Sequence, residues 1–247
     1  MNIHKLIIIY LFSLLLPMTG YELALSIEQK NNPADMKSII TMKIKNHKGK
    51  IRTSSIKSIS KDNNKKQILW FLKPADDKGV AYLKIEHNNK DDEMRLWLPA
   101  FKRIRRISSK KKSESFMGSD MSYEDMTNRS INEYSYKIIG EETIEKKDCY
   151  ILESKPLEKS EYSKHISWIS KEYLHLIKED SYDRNNKHLK SKSIEYNKIG
   201  NYLLATKIRV KNIQKQHETS LEFSDIVVDS NVSDNIFQEK NLKRLRF

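Results

Sequence analysis

Cysteine is close to absent from this chain, and glycine and proline are scarce: one Cys, six Gly and five Pro in 247 residues. A lone thiol, Cys149, excludes any intramolecular disulfide, so stability must come from packing. It lies in the apolar run Cys149-Tyr150-Ile151-Leu152, which reads as a buried structural thiol rather than a reactive one. No cysteine stands near the N-terminus, which argues against a lipid-anchored start. So few Gly and Pro leave no long flexible linker, and the length suits one domain or at most two small ones.

The motifs of common enzymes are missing too. The seven His are scattered with no HExxH or paired-His spacing, and there is no GxSxG, Walker loop or GxGxxG. Acid is the minority charge, 33 Asp and Glu against 46 Lys and Arg, for a formal net charge of +13. Lys and Asn are abundant throughout, so charge alone does not identify a partner. With 38% apolar residues, seven Phe and twelve Tyr, the chain has enough for one extensive core and too much for disorder.

Long hydrophobic runs are limited to one. His4 and Lys5 precede the uncharged stretch from Leu6 to Leu16, followed by Pro17-Met18-Thr19-Gly20. A spanning helix needs about 20 apolar residues, so this shorter run reads as a secretory signal peptide, with a buried core helix as the competing reading. Cleavage is expected after Gly20, or after Ser26 in the small-x-small sequence Ala24-Leu25-Ser26. The expected organisation is a signal peptide over 1–20 and one soluble domain over 21–247, exported from the cytoplasm.

What is present in quantity is alternation. Tyr21–Glu28 has helical composition and stops at Asn31-Asn32-Pro33. Ile40, Met42 and Ile44 then alternate with polar residues, as do Ala81, Leu83 and Ile85, and Met94, Leu96 and Leu98. Ile51–Ser60 and Gln67–Leu72 complete the first half. The second half repeats the pattern over Tyr136–Thr143, Cys149–Ser154, His165–Ser170, Leu174–Tyr182, His188–Tyr196, Tyr202–Val210 and Glu218–Val228. Short polar connectors separate them. A dozen strands at hairpin spacing predict a mainly β fold, one large antiparallel sheet that must curl to bury its apolar face. Ser109–Glu133 breaks this rhythm with helical composition and is expected to cover one mouth of the curl.

Residues 96–126, LWLPAFKRIRRISSKKKSESFMGSDMSYEDM, join an apolar strand, a basic run and a short glycine motif. Gly118-Ser119-Asp120 fits either a nucleophile turn, giving an envelope hydrolase centred on Ser119 and Asp120, or a turn entry, since Ser122-x-x-Asp125 matches a capping box. Asp120, Glu124 and Asp125 fit a hard-cation site or simple pairing with nearby bases. The basic residues Lys102, Arg103, Arg105, Arg106 and Lys110 form a positive rim, with Arg103 and Arg105 on one strand face and Ile104 and Arg106 on the other. Export disfavours nucleic acid; an anionic membrane surface fits better, and a solvated basic hairpin is the plain alternative. A third possibility is an apolar cavity lined by Ile40, Met42, Ile44, Trp70, Leu72, Leu83, Ile85, Met94, Leu96, Leu98, Trp168, Ile177 and Phe223. Periodicity does not distinguish such a cavity from a filled core.

Leu96–Met126 closely resembles the signature of the LolA-like outer-membrane lipoprotein-sorting family, an LP-(aromatic or aliphatic)-KR-x-RR-I run followed by a variant of FMGSD-x-SYED. Gly20-Tyr21-Glu22-Leu23-Ala24, Gly79-Val80-Ala81-Tyr82-Leu83, Cys149-Tyr150-Ile151 and the terminal Phe237…Leu242 segment extend the likeness over most of the chain. It implies an incomplete, half-open antiparallel barrel closed by short helices, taking acyl chains into its concave face, and it favours cleavage near Gly20. Phe116, Met117, Gly118, Ser119, Asp120, Tyr123, Glu124 and Asp125 would form the lid. The chain departs from the family in its excess of Lys and Asn and in its Lys110-Lys111-Lys112 spacer. The resulting expectation is a periplasmic carrier of lipid or lipoprotein acyl chains. It would need no cofactor, metal or catalysis, and would work between an inner-membrane transporter and an outer-membrane acceptor. A non-carrier accessory subunit of an envelope transporter is the remaining alternative.

Overall fold

A computed structural model describes residues 17–88, 90–108 and 111–244. Thirteen strands form a single antiparallel sheet: β1 (Asp35–Lys45), β2 (Ile51–Lys61), β3 (Lys66–Lys73), β4 (Ala81–Ile85), β5 (Glu93–Leu98), β6 (Arg103–Arg106), β7 (Tyr134–Ile144), β8 (Lys147–Pro156), β9 (Tyr162–Ser170), β10 (Leu176–Asp183), β11 (His188–Ile199), β12 (Tyr202–Asn212) and β13 (His217–Val228). Their order is β6-β5-β4-β3-β2-β1-β13-β12-β11-β10-β9-β8-β7. Every neighbouring pair is a hairpin except β1–β13, which joins two meanders at the middle of the sheet. The sheet does not close: β6 and β7 are its free edges. Four residues long and three of them Arg, β6 is a protected edge.

The only α-helix among the described residues is α1 (Gly20–Glu28). A capping box starts it: Thr19 accepts from the Glu22 backbone N–H, and Glu22 accepts from that of Thr19. Leu23 on its buried side packs with Leu152 of β8 and Ile169 of β9. Gly20 lies so close to β7 that a Cβ there would come within 2.6 Å of the Lys137 nitrogen. Among the described residues no helix is long and apolar enough to cross a membrane.

Residues directly opposite in neighbouring strands share a face. The pairs Ile56–Ile40, Ile40–Phe223, Met42–Leu221 and Leu221–Ile208 therefore trace one face across β2, β1, β13 and β12. Leu69–Tyr82 and Tyr82–Leu96 continue it to β5. We call this the inner face, because the long β6–β7 connection lies over it. The other face of β3–β6 carries Ile68, Trp70, Ala81, Leu83, Ile85, Trp97 and Ile104, and is covered by Val232, Ile236, Phe237 and Leu242 of the C-terminal segment. With both faces buried, β3 reads as an unbroken apolar run, and β4 buries even Lys84, which donates to Glu86 and to the Met126 carbonyl.

This corrects the expected grouping of cavity residues: Trp70, Leu83 and Ile85 point away from Met94 and Leu96. It also corrects the expected helices over 109–133. The described part of this segment is turns, one isolated bridge between Ser115 and Ser122, and 3-10 conformation at Lys111 and Ile131–Glu133. The reason is local. Ser122 and Asp125 exchange side-chain-to-backbone bonds that close a turn, and Met117 and Gly118 take successive left-handed conformations, φ +51° and +76°. The left-handed pair excludes helix there, and the Ser122–Asp125 box, a device that can start a helix, here closes only one turn.

Candidate functional site: an apolar inner wall and the segment that fills it

The first half of the sheet builds the wall. Ile40, Met42, Ile44, Ile56, Leu69, Phe71, Tyr82, Met94 and Leu96 form one buried cluster with Leu221. No strand covers it; the β6–β7 connection does, inserting Phe116 and Tyr123, with Met117, Met121 and Met126 packed around them. Phe116 meets Tyr82 edge-on at a ring separation of 5.2 Å and Tyr123 at 5.8 Å, and Phe71 at 6.2 Å completes an aromatic quartet. Three methionines beside it supply a deformable lining.

Side chains rather than strand pairing hold this plug. Asp120 is bonded by His217 Nδ1 at 3.0 Å and by the Thr219 hydroxyl at 2.7 Å, while the Asp120 N–H donates back to Thr219. Asp125 receives Lys190 Nζ at 2.8 Å and the Tyr162 hydroxyl at 2.7 Å. Burial pushes the Asp125 carboxyl up, but Lys190, with the bonds from the Ser122 N–H and the Tyr162 hydroxyl, outweighs it and holds the pKa at about 2. Glu124 accepts from the Ser160 hydroxyl and from the Glu161 N–H. Arg52 donates to the Met117 carbonyl at 2.5 Å. The acidic trio thus pairs with β9, β11 and β13, not with the basic run as the sequence suggested.

Arg129, at the exit of the plug, anchors it more deeply. It makes a bidentate pair with Glu179 of β10, at 2.5 and 2.9 Å, and Glu179 also receives Lys192 at 2.8 Å and Ser167 at 3.0 Å. Burial alone would raise the Glu179 pKa; Arg129 and Lys192 drive it well below the usual carboxylate range. Arg129 and the Ser181 hydroxyl both lie within bonding distance of His165 Nδ1, at 3.2 and 2.8 Å. An arginine only donates, so Nδ1 accepts and the ring proton sits on Nε2, which is buried with no protein partner. Burial, then the Arg129 charge, lowers the His165 pKa to about 3, so the ring is neutral at ordinary pH.

Of the expected wall residues, Ile40, Met42, Ile44, Met94, Leu96, Leu98 and Phe223 meet on the inner face with the plug. Ile177 is buried two positions before Glu179, on the same face of its strand. Leu72 joins none of the apolar clusters. Trp168 does not line the wall: its indole donates to Glu142 at 2.6 Å and Lys178 sits 4.0 Å over its ring, an arrangement of the opposite face. Ser119 Oγ is engaged within its own turn, bonding the Met121 carbonyl at 3.4 Å and N–H at 3.2 Å. In the basic run, Arg105 pairs with Glu114 of the plug while Lys102, Arg103 and Arg106 are exposed; Lys110 lies outside the described residues. Sequence reasoning missed Leu69, Phe71 and Tyr82, whose faces an unbroken apolar run conceals. It also missed Arg129, Glu179, His165 and Lys190, which meet only through the register of distant strands.

An unclosed antiparallel sheet with an apolar inner wall, covered by one long connection, is a fold that solved structures share. A LolA superfamily protein from Nitrosomonas europaea superposes with a TM-score of 0.72 at 18% identity, over 90% of this chain and 99% of its own. A DUF1329 family protein from Desulfovibrio piger is 33% identical, with a TM-score of 0.85 over 90% of this chain and 97% of its own. A Vibrio parahaemolyticus domain described as an outer membrane lipoprotein-sorting protein is 30% identical, with a TM-score of 0.86 over 91% and 98%. A family model described only as "Uncharacterized protein" matches residues 63–244. No curated protein matches by sequence. The chain belongs to the DUF1329 family and carries a LolA-like fold.

Proposed function

We propose that the protein is a non-enzymatic periplasmic carrier that shields acyl chains of lipids or lipoproteins in transit to the outer membrane. One observation carries this reading. The apolar inner wall is filled by a segment held through side-chain contacts, so the filler is exchangeable without unpairing the sheet. Each buried methylene of a guest contributes about 0.8 kcal/mol, so an acyl chain of ordinary length offers on the order of 10 kcal/mol to offset the displaced Phe116 and Tyr123. The LolA-like fold and the lipoprotein-sorting description of the Vibrio relative support the same cargo class. The turn-bound Ser119 hydroxyl gives the hydrolase reading no comparable support.

Residues 1–20 serve in this reading as an export signal. Cleavage after Ser26 would remove Leu23 from the core, so processing at or before Gly20 is expected. Intact mass of the protein from the envelope fraction locates the cut. The cargo test is mass spectrometry of lipid released from that same preparation, paired with uptake of a fluorescent acyl probe. Bound lipid and saturable uptake are expected. Repeated purification free of lipid with no uptake would instead favour the accessory-subunit reading.

A further inference from the structure

The hairpin order sends every second connection to the same end of the sheet. One end carries residues 46–50, 74–80, 99–102, 157–161, 184–187 and 213–216. These six connections hold eight Lys and Arg against four Asp and Glu. The five connections at the other end, 62–65, 86–92, 145–146, 171–175 and 200–201, together with the strand exits at 107–113 and 229–234, hold seven against eight. The net charge of these segments therefore falls from +4 at the first end to −1 at the second.

The most exposed apolar side chains gather at the basic end. Among the described residues the three most exposed large hydrophobics are Phe101 at 67%, Leu157 at 64% and Ile51 at 59%, and all three lie at the basic end, with Ile213 at 38%. In sheet order they are spread along the rim, Phe101 at the β5–β6 tip, Ile51 at β1–β2, Ile213 at β12–β13 and Leu157 at β8–β9. Cations stand beside them: the Arg103 guanidinium is 5.4 Å from the Phe101 ring centroid, and Lys50 and Arg52 flank Ile51. Separate apolar tips set among Lys and Arg suit a planar surface with anionic phosphates over an oily layer, rather than a single protein pocket.

We propose that this end of the half-barrel docks on an anionic phospholipid bilayer, its Lys and Arg on lipid phosphates and Phe101, Leu157 and Ile51 in the interfacial layer. The plug reaches the same end, since Met117 is held by Arg52 and Asp120 by His217. In that role, as the gate through which cargo passes, the surface rests on the carrier reading; the docking itself does not.

The test is flotation of the purified protein with vesicles of equal parts phosphatidylglycerol and phosphatidylcholine, against phosphatidylcholine alone. Binding to the anionic vesicles is expected, weakening as salt shrinks the Debye length below roughly 10 Å. Lys48→Ser with Lys50→Ser should lower affinity about 25-fold, at about fivefold per charge. Phe101→Ser with Leu157→Ser should lower it about tenfold or more. Tyr173→Ser with Val227→Ser, exposed at the acidic end, should change it less than twofold. Equal binding to both vesicle types, an equal loss in the acidic-end variant, or no binding at all overturns the proposal; the last leaves an acidic protein as the rim's partner. Acyl-probe uptake measured without vesicles separates the two claims: uptake without docking sinks the docking surface alone, and docking without uptake sinks the carrier alone.

Discussion

The two halves of the sheet solve the burial problem differently. From β3 to β6 both faces are covered, the inner by the plug and the outer by the C-terminal segment. From β7 to β11 the inner face carries α1 and the charged group around Glu179, and β7 alternates half-buried and exposed residues over most of its length. Apolar wall and polar anchor thus belong to different halves, and the plug bridges them: its Phe116 and Tyr123 fill the first while Asp125 and Arg129 grip the second. A segment so divided is fixed by polar contacts and filled by apolar ones, which lets cargo compete with the filling without the anchor being lost.

The largest expected effect tests whether the tail-covered face is structure rather than wall. Trp70 is buried there and its indole donates to the Asn241 carbonyl at 3.2 Å. Trp70→Ala should cost about 3–5 kcal/mol in denaturant unfolding. Uptake per folded molecule should be unchanged. A selective loss of uptake would put the cavity on both faces and dissolve the distinction between them.

Next comes the anchor. Glu179→Ala leaves Arg129 and Lys192 without their shared carboxylate in a mostly buried site, and a loss of roughly 3 kcal/mol follows. Because Arg129 closes the plug, the variant should also take up an acyl probe faster. Slower or unchanged uptake would mean that the plug opens elsewhere.

Strand placement was legible because alternation and hairpin spacing survive in β5, β9 and β12–β13. Face assignment failed where it had to: Ile68-Leu69-Trp70-Phe71 is apolar on both sides, so no periodicity tells Phe71, on the wall, from Trp70, under the tail. The Arg129–Glu179 and Asp125–Lys190 pairs span 50 and 65 residues and depend on β10 and β11 lying opposite the plug, which composition does not reveal. The motif itself stood out in the sequence, but its helical composition concealed a structure made of turns.

The two halves also separate by pH. The neutral His165 has its folded pKa at about 3 against an ordinary 6.5. Below pH 6.5 the unfolded chain binds the proton and the folded one does not, so stability is full above that value and falls toward pH 3 by at most about 1.4 kcal/mol per unit. Asp125, depressed to about 2, adds its own loss only below about pH 4. His165→Gln should flatten the limb between pH 6.5 and 4 and leave the steeper one below it. An unchanged limb would assign the acid sensitivity to another group. At the motif, Gly118→Val forces a β-branched residue to φ +76° and should cost about 1–2 kcal/mol, with weakened uptake. Ser119→Ala, losing only turn bonds, should leave uptake nearly intact; an activity vanishing with it would revive the hydrolase.

The smallest effect concerns the basic run, which the structure divides. Arg105 stands opposite Leu96, on the inner face, and is paired with Glu114 of the plug. Lys102 and Arg103 stand at the hairpin tip beside Phe101. Both partners of the Arg105 pair are partly solvated, so water screens it and Arg105→Ala should cost no more than about 1 kcal/mol. It should leave vesicle association unchanged, because its charge is matched by Glu114 and faces the plug rather than the bilayer. Lys102→Ala with Arg103→Ala should do the reverse, sparing stability and weakening association at low salt. If Arg105→Ala weakens vesicle binding as much as the tip variant, the run acts as one undivided docking patch. If neither variant changes association, the solvated hairpin suggested by the sequence is the better description of the run.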